Sequence, residues 1–266
     1  MLIRGFKQLA LAVAVLPMLV QPVLAHSIWF DEKDGKYDLL FGHPEENAPE
    51  AYPLAKFKEA TGYDINRSII PIEIINRKDG VSVLPKSGLA ALSAFFDNGF
   101  WVKQTENDYL NVSQSEAEKY NPDYEVGHYV KYTKGLYDWS EAISKPFGLP
   151  LEILALKNPF EVKVGESLPI QVLFQGNLIK NPTVEYLGKT LNVDADGIAL
   201  IPIGNEGFQP IEAGYTLPLS NDPAADKISY ATTLTYEKIP EPSALLGLGV
   251  VGVLALLNKT KRKALN

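Results

Sequence analysis

The sequence predicts a mainly β protein with two β-sandwich domains, a short helical insert and a targeting segment at each end. Short apolar runs separated by turn residues recur from residue 151 to residue 237, at the spacing that is typical of a β-sandwich. Further strand-turn-strand patterns lie between residues 27 and 105, and both chain ends carry apolar runs. We therefore expect four segments: a signal peptide (1–25), an N-terminal β domain (26–147), a C-terminal β-sandwich domain (148–238) and a C-terminal hydrophobic helix (239–266).

The N-terminal segment has the composition of a secretory signal peptide. Arg4 and Lys7 precede an almost wholly apolar run, and Val23 and Ala25 are the small residues that precede the cut of a signal peptidase. A retained transmembrane anchor is the alternative, but the run is short for one. We expect cleavage after Ala25, which makes His26 the first residue of an exported chain.

The C-terminal segment combines a short motif, an apolar block and a basic cluster. A Pro-Glu-Pro sequence at 240–242 precedes an uncharged apolar block, and the basic cluster follows at 259–263. This order resembles a PEP-CTERM sorting signal, which implies a helix that lies in the membrane until an exosortase-type sorting enzyme processes it. A plain single-pass anchor is the alternative. Either interpretation places the folded part of the chain in the periplasm or at the cell surface.

The composition excludes several functional classes. Without the six basic residues of the two ends, 19 Lys and Arg (25 less six) oppose 32 Asp and Glu, so the protein repels nucleic acid and attracts cations. The same charge also simply keeps an exported protein soluble. The absence of cysteine excludes disulfides, thiolate metal sites and cysteine nucleophiles. The sequence contains no nucleophile elbow and no phosphate-binding glycine loop, and we do not expect an enzyme.

A hairpin at the start of the mature chain is predicted to bring two histidines together. Strands at 27–30 and 37–41 flank a turn at Asp34-Gly35. The start of the first strand then lies beside the end of the second strand. His26 and His43 are therefore expected to be neighbours in space.

Three further local patterns predict the elements that follow. Asp97-Asn98-Gly99 is expected to be a hairpin turn between strands at 89–96 and 100–105. A helix is expected to begin near 115–120. Apolar residues at spacings of three and four between 126 and 143 predict a second, partly amphipathic helix with His128 near its start.

The chain contains only three histidines, His26, His43 and His128, and we expect all three to bind one metal ion. A terminal amine and the Nδ1 atom of His26 close one chelate ring, and the other two imidazoles raise the set to four nitrogen donors. Such sets suit nickel or copper in tetragonal geometry and zinc in tetrahedral geometry. For each histidine alone, a hydrogen-bonded or surface role is the alternative. Glu45 and Glu46 either orient His43 or are solvated loop charges.

Several short segments, spread over nearly all of residues 25–238, together carry a family resemblance. The most specific segment is the Pro-Phe-Gly-Leu-Pro-Leu-Glu-Ile sequence at 146–153. The other segments are Ala25-His26, Ile28-Trp29, 41–45, 157–159, Gly165-Glu166, 172–174, Gly176 and 230–236. Together they resemble one family of exported proteins, which is associated with nickel and cobalt uptake. The resemblance implies immunoglobulin-like or transthyretin-like β domains and a periplasmic metal-binding role beside a metal-uptake transporter.

The sequence therefore predicts an exported protein that binds one divalent transition-metal ion, nickel or cobalt, in support of metal uptake, with copper and zinc as the other ions that suit the site. Two alternatives stay open. A copper histidine-brace oxidative enzyme shares the first-position histidine and the β-sandwich. A structural or adhesive envelope protein is suggested by the sorting tail and by Trp29, Trp101 and Trp139, although these tryptophans equally suit a core.

Overall fold

A computed structural model describes residues 26–46, 48–106, 108–204 and 210–237, and it confirms a mainly β protein with one short α-helix in the described residues. The strands form three sheets. The predicted signal peptide and C-terminal hydrophobic helix lie outside the described residues. Within those residues, no helix is long and apolar enough to cross a membrane.

The strands are numbered in chain order. They are β1 (Ser27–Lys33), β2 (Lys36–His43), β3 (Ala48–Pro49), β4 (Phe57–Tyr63), β5 (Ile69–Ile70), β6 (Ile72–Asn76), β7 (Val81–Pro85), β8 (Ala91–Thr105), β9 (Asp108–Val112), β10 (Val126–Leu136), β11 (Leu151–Ala155), β12 (Ser167–Phe174), β13 (Asn177–Leu178), β14 (Thr183–Tyr186), β15 (Lys189–Thr190), β16 (Ile198–Pro202), β17 (Ile211–Pro218) and β18 (Lys227–Tyr236). The helix α1 (Gln114–Tyr120) lies between β9 and β10.

A central sheet runs through the molecule in the order β15-β14-β17-β18-β10-β8-β4-β5, with β9 added beside β8. Its neighbouring strands are antiparallel except β10 and β18, which are parallel and pair from Gly127↔Lys227 to Leu136↔Tyr236. Strands from both sides of the predicted domain boundary at 147 therefore share this sheet. The boundary itself stays a prediction.

Two smaller sheets cover opposite faces of the central sheet. The first has the order β1-β2-β7-β6, with β3 beside β2, and the second has the order β11-β12-β13, with β16 beside β12. Leu92 packs with Ile28 in one core, while its neighbour Ala91 packs with Ile153 in the other core. Because successive side chains of a strand point to opposite faces, the two cores lie on the two sides of β8.

The predicted helix at 126–143 is wrong, because residues 126–136 form the strand β10. Most of β10 is buried on both faces, since it lies in the middle of the central sheet between the two cores. A strand that is buried on both faces loses the alternation of apolar and polar residues. Spacings of three and four between its apolar residues then imitate a helix, although Val126, Val130 and Tyr132 are good strand formers.

The predicted hairpin turn at 97–99 is also wrong, because the chain continues straight through it as the 15-residue strand β8. The pairing with β10 moves from Asp97↔Val130 to Gly99↔Tyr129, so Asn98 is an extra residue in a β-bulge. Gly99 takes a φ of 82° beside it. The sequence Asp97-Asn98-Gly99 thus forms a β-bulge, which needs the same left-handed backbone conformation as a tight turn.

The helix that was expected near 115–120 is confirmed as α1, which has a capping box at its start. The Glu116 carboxylate accepts hydrogen bonds from the backbone N–H and the hydroxyl of Ser113. These contacts satisfy donors that a helix start leaves unpaired. The short helical insert is therefore this helix.

Candidate metal centre

The predicted hairpin around Asp34-Gly35 is confirmed, and it places two of the three histidines side by side. β1 and β2 pair antiparallel, with Ser27 opposite Gly42, around a turn in which Asp34 and Gly35 both have positive φ. This register brings His26, which precedes β1, next to His43 at the end of β2. The centroids of the two imidazole rings are 4.5 Å apart.

A carboxylate from the next segment completes the group. One ligand atom each from His26, His43 and Glu50 lie within 4.8 Å of one another. Glu50 follows β3, whose residues Ala48 and Pro49 pair with the end of β2. The side chains of His26 and Glu50 are 34 % and 52 % exposed, so the group is open to solvent on one side.

Gly42 allows β3 to approach β2 closely enough for this contact. Its φ of 140° lies in a region that side chains rarely adopt, and a Cβ atom here would lie 2.7 Å from the carbonyl oxygen of Ala48. The backbone N–H of Glu50 donates to the carbonyl of Phe41 at 2.7 Å. The Phe-Gly-His sequence therefore fixes both a histidine and the path of the chain to Glu50.

Each imidazole ring is held through one nitrogen by a carboxylate. His26 Nε2 lies 3.0 Å from Glu50 Oε1, and His43 Nδ1 lies 3.3 Å from Glu45 Oε1. The ring of His26 also stacks on Phe41, with centroids 5.0 Å apart. A carboxylate that accepts from one ring nitrogen orients the other nitrogen towards a metal. The nitrogens left for an ion are Nδ1 of His26 and Nε2 of His43.

A buried polar layer lies beneath the first two described residues. Lys131 Nζ donates to the carbonyl of His26 at 2.5 Å, and the Ser27 hydroxyl donates to the Glu212 carboxylate. Burial lowers the pKa of the Lys131 ammonium to about 8, although the attraction of Glu212 opposes this shift. Burial raises the pKa of the Glu212 carboxyl to about 7, against the effect of the hydrogen bond from Ser27.

Residues 23–217 match the family model of a domain of unknown function (DUF4198). The chain belongs to this family. The match contains every residue of the group described above, and it ends before β18. No curated protein and no solved structure matches the chain.

The structure of this DUF4198 protein does not bring His128 into the group of His26, His43 and Glu50. His128 lies on β10, where its Nε2 is 2.9 Å from Asp97 Oδ1 and its ring stacks on Phe100 with centroids 4.4 Å apart. It is three residues from Lys131 on the same strand, so it faces the side of the sheet opposite to the one that contacts His26. The hydrogen bond with His128 lowers the pKa of Asp97, and burial opposes this shift.

Glu50 is the residue of this DUF4198 centre that the sequence did not reveal. It lies in a polar, proline-rich segment that follows His43, and no spacing rule connects it to a histidine. The sequence also left open whether Glu45 orients His43 or is solvated. The 3.3 Å contact and a side chain that is only 27 % exposed favour the orienting role.

The donor types in this DUF4198 centre fit a transition-metal ion better than a hard cation. Two of the three side chains in the group are imidazoles, whereas calcium and magnesium prefer sites made of oxygen atoms. Thiolate donors are excluded, since the sequence contains no cysteine. Two rings and a carboxylate leave coordination positions open, which water can fill.

Proposed function

We propose that this protein is an exported metal-binding protein that takes up one divalent transition-metal ion at His26 and His43 and supplies it for uptake. The observation that carries the proposal is the approach of His26, His43 and Glu50 within 4.8 Å, at the residue that becomes the N-terminus if the chain is cut after Ala25. Nickel and cobalt are the expected ions, and copper and zinc suit the same donors.

Cleavage after Ala25 supplies the strongest donor of the proposed set. The free α-amine of His26 and Nδ1 of the same residue close one chelate ring, and His43 adds Nε2. Three nitrogens then bind the ion, while Glu45 and Glu50 hold the rings. An uncleaved chain carries an amide nitrogen at this position and lacks the amine, so metal binding follows export.

The rest of the proposal concerns location and partners. Signal peptidase and an exosortase-type sorting enzyme process the two chain ends, and the C-terminal helix anchors the protein in the membrane until it is removed. The body then faces the periplasm or the cell surface beside a metal-uptake transporter, without an enzymatic activity of its own. The exposed rim of the centre, with Glu50 half exposed, is suited to exchange of the ion with such a partner.

The three sheets form two sandwiches in the proposed fold. Each small sheet packs against one face of the central sheet, which supports two immunoglobulin-like or transthyretin-like sandwiches that share one wall. The predicted division at residue 147 then separates the strands of the metal centre from those of the second small sheet.

Metal titration of the mature protein tests the proposed function. Mass spectrometry first establishes that the chain begins at His26. Calorimetric titration with Ni(II), Co(II), Cu(II) and Zn(II) is then compared between wild type and the variants His26→Ala and His43→Ala. We expect binding of one ion per chain and a large loss of affinity in both variants.

His128→Gln is the matched control, because it removes the third imidazole at a position outside the group. We expect its affinity to equal that of wild type. Unchanged affinity in both His26→Ala and His43→Ala contradicts the proposed site, and a loss in His128→Gln restores the three-histidine centre that the sequence predicts. No binding of any ion, with retention at the cell surface, favours the structural envelope protein.

A copper histidine-brace enzyme is the second candidate function. The observation that favours it is that the carboxylates contact Nε2 of His26 and Nδ1 of His43, because the other two ring nitrogens and a terminal amine would then give the three nitrogens of a brace. Peroxide-dependent oxidation of a polysaccharide by the copper-loaded protein supports this candidate. Copper binding without such activity leaves the uptake function as the better account.

A further inference from the structure

The first two residues of the mature chain are each held by a buried charged side chain of the central sheet. Lys131 on β10 is 6 % exposed and donates to the carbonyl oxygen of His26, and Glu212 on β17 is 4 % exposed and accepts from the hydroxyl of Ser27. Chain termini are usually poorly ordered unless something ties them down. These contacts tie down the two residues on which the proposed centre depends.

A second buried lysine on the same strand, Lys134, has a different kind of partner from Lys131. Lys134 forms an ion pair with Glu152, with Nζ 2.6 Å from Oε1. Within the described part of the chain, Lys131 forms no ion pair at such a distance, and its Nζ meets the backbone carbonyl of His26 instead. Burial of a charge without an ion pair at contact distance is unfavourable, and the attraction of Glu212 offsets only part of this cost.

The contact between Lys131 and the carbonyl of His26 affects the position of the α-amine, which belongs to the backbone and not to a side chain. The imidazole of His26 is already fixed by Glu50 and by stacking on Phe41. The contact at the carbonyl oxygen, together with the pairing of Ser27 opposite Gly42, fixes the peptide plane between residues 26 and 27, and therefore the Cα atom of His26. With the ring and the peptide plane both held, the α-amine has a single tetrahedral direction left at that Cα atom.

We propose that Lys131 and Glu212 are positioning residues, which hold the backbone of His26 and Ser27 so that the terminal amine stays beside the two imidazoles. This inference rests on the proposed function. Lys131 and Glu212 touch no ion themselves. They act by reducing the freedom that the terminal residue loses when the chelate forms, which is the general effect of preorganisation on affinity.

The test uses the mature chain, which begins at His26, with Ni(II) for affinity and Cu(II) as a spectroscopic probe. In Lys131→Met, which keeps the length of the side chain and removes the charge, we expect Ni(II) affinity to fall about tenfold, as when residues that orient metal ligands are replaced. The Cu(II) electron paramagnetic resonance spectrum should change as the amine is lost from the donor set. Lys131→Arg should restore both affinity and spectrum, because it keeps a cationic donor.

A chain that retains Ala25 provides the decisive comparison, since its amine is displaced from the site. There, Lys131→Met should have a much smaller effect on affinity, because two changes that act through one donor are not additive. Lys134→Met is the matched control for a buried lysine. It should lower thermal stability and leave the Ni(II) affinity of the folded protein unchanged.

Each outcome separates this inference from the proposed function. Wild-type affinity and spectrum in Lys131→Met overturn the positioning role and leave the metal site intact. Equal losses in Lys131→Met and Lys134→Met also overturn it, because they trace the effect to loosened packing. If Lys131→Met does not fold, Glu212→Met takes its place, and unchanged affinity there overturns the inference. A wild-type protein that binds no ion overturns the proposed function instead.

Discussion

At the scale of single residues, the chemistry of the centre depends on which ring nitrogen each carboxylate holds. Glu50 approaches Nε2 of His26, and Glu45 approaches Nδ1 of His43. A histidine that binds a metal commonly gives its other ring N–H to a carboxylate. The alternative is that Glu50, which shares the group within 4.8 Å, binds the ion itself. A neutral amide in place of the Glu50 carboxylate can still accept a hydrogen bond from His26, but it is a much weaker ligand for a metal ion.

Glu50→Gln distinguishes the two roles. The amide oxygen of glutamine still accepts a hydrogen bond from Nε2 of His26, so an orienting role predicts a loss of metal affinity of less than about tenfold. Titration with Ni(II) and Cu(II) measures the loss, with Glu50→Ala as the variant that removes the acceptor altogether. A loss in Glu50→Gln as large as that in His43→Ala would identify the carboxylate as a direct ligand.

At the scale of elements, the strands β1, β2 and β3 position the residues of the centre. The sequence predicts the pairing of β1 with β2 but not that of β3. The β1–β2 hairpin follows from a local turn at Asp34-Gly35, so the approach of His26 and His43 could be predicted. The position of Glu50 depends on a two-residue strand, β3, whose pairing leaves no periodic signal. His128 was assigned to a helix because β10 is buried on both faces, and on a strand its side chain faces away from the centre.

Gly42→Ala tests whether the close approach of β3 builds the centre. A Cβ atom at this position would lie 2.7 Å from a backbone oxygen of β3, so β3 and Glu50 must shift away from His26. We expect metal affinity to fall about tenfold, together with a loss of about 1 to 3 kcal/mol in the free energy of unfolding from the unfavourable φ. Calorimetric titration and urea unfolding measure the two effects.

Gly35→Ala is the control for the backbone effect alone. Gly35 also has a positive φ, of 75°, but a Cβ atom there meets nothing within 4 Å, and the residue lies at the opposite end of the hairpin from the histidines. It should lower the free energy of unfolding and leave metal affinity unchanged. Wild-type affinity in Gly42→Ala would show that the centre does not depend on this approach.

At the scale of the whole molecule, the parts of the chain on either side of residue 147 are joined by pairing and by a buried ion pair. The strand β18 lies between β10 and β17 in the central sheet, although the family match ends at residue 217. Lys134 on β10 meets Glu152 on β11, and the same carboxylate accepts backbone N–H groups at 147–149. The Pro-Phe-Gly-Leu-Pro-Leu-Glu sequence, which carries the family resemblance most specifically, therefore has a structural role at this junction.

Glu152→Gln should be among the most destabilising single substitutions in the chain. It leaves the Lys134 ammonium buried without a countercharge, since the two side chains are 3 % and 1 % exposed, and the loss of one partner of such a pair costs about 3 to 5 kcal/mol. Urea unfolding measures the loss in Glu152→Gln, in Lys134→Met and in the double variant. The double variant should recover part of the stability that Glu152→Gln loses, because it removes the stranded charge, whereas additive losses would contradict the ion pair as the main interaction of Lys134.

Glu73→Gln, at an exposed pair with Lys86, should leave stability unchanged, because solvent screens charges at the surface. Metal affinity should stay at the wild-type value in all of these variants that fold, since the junction lies on the face of the central sheet opposite to the one that contacts His26.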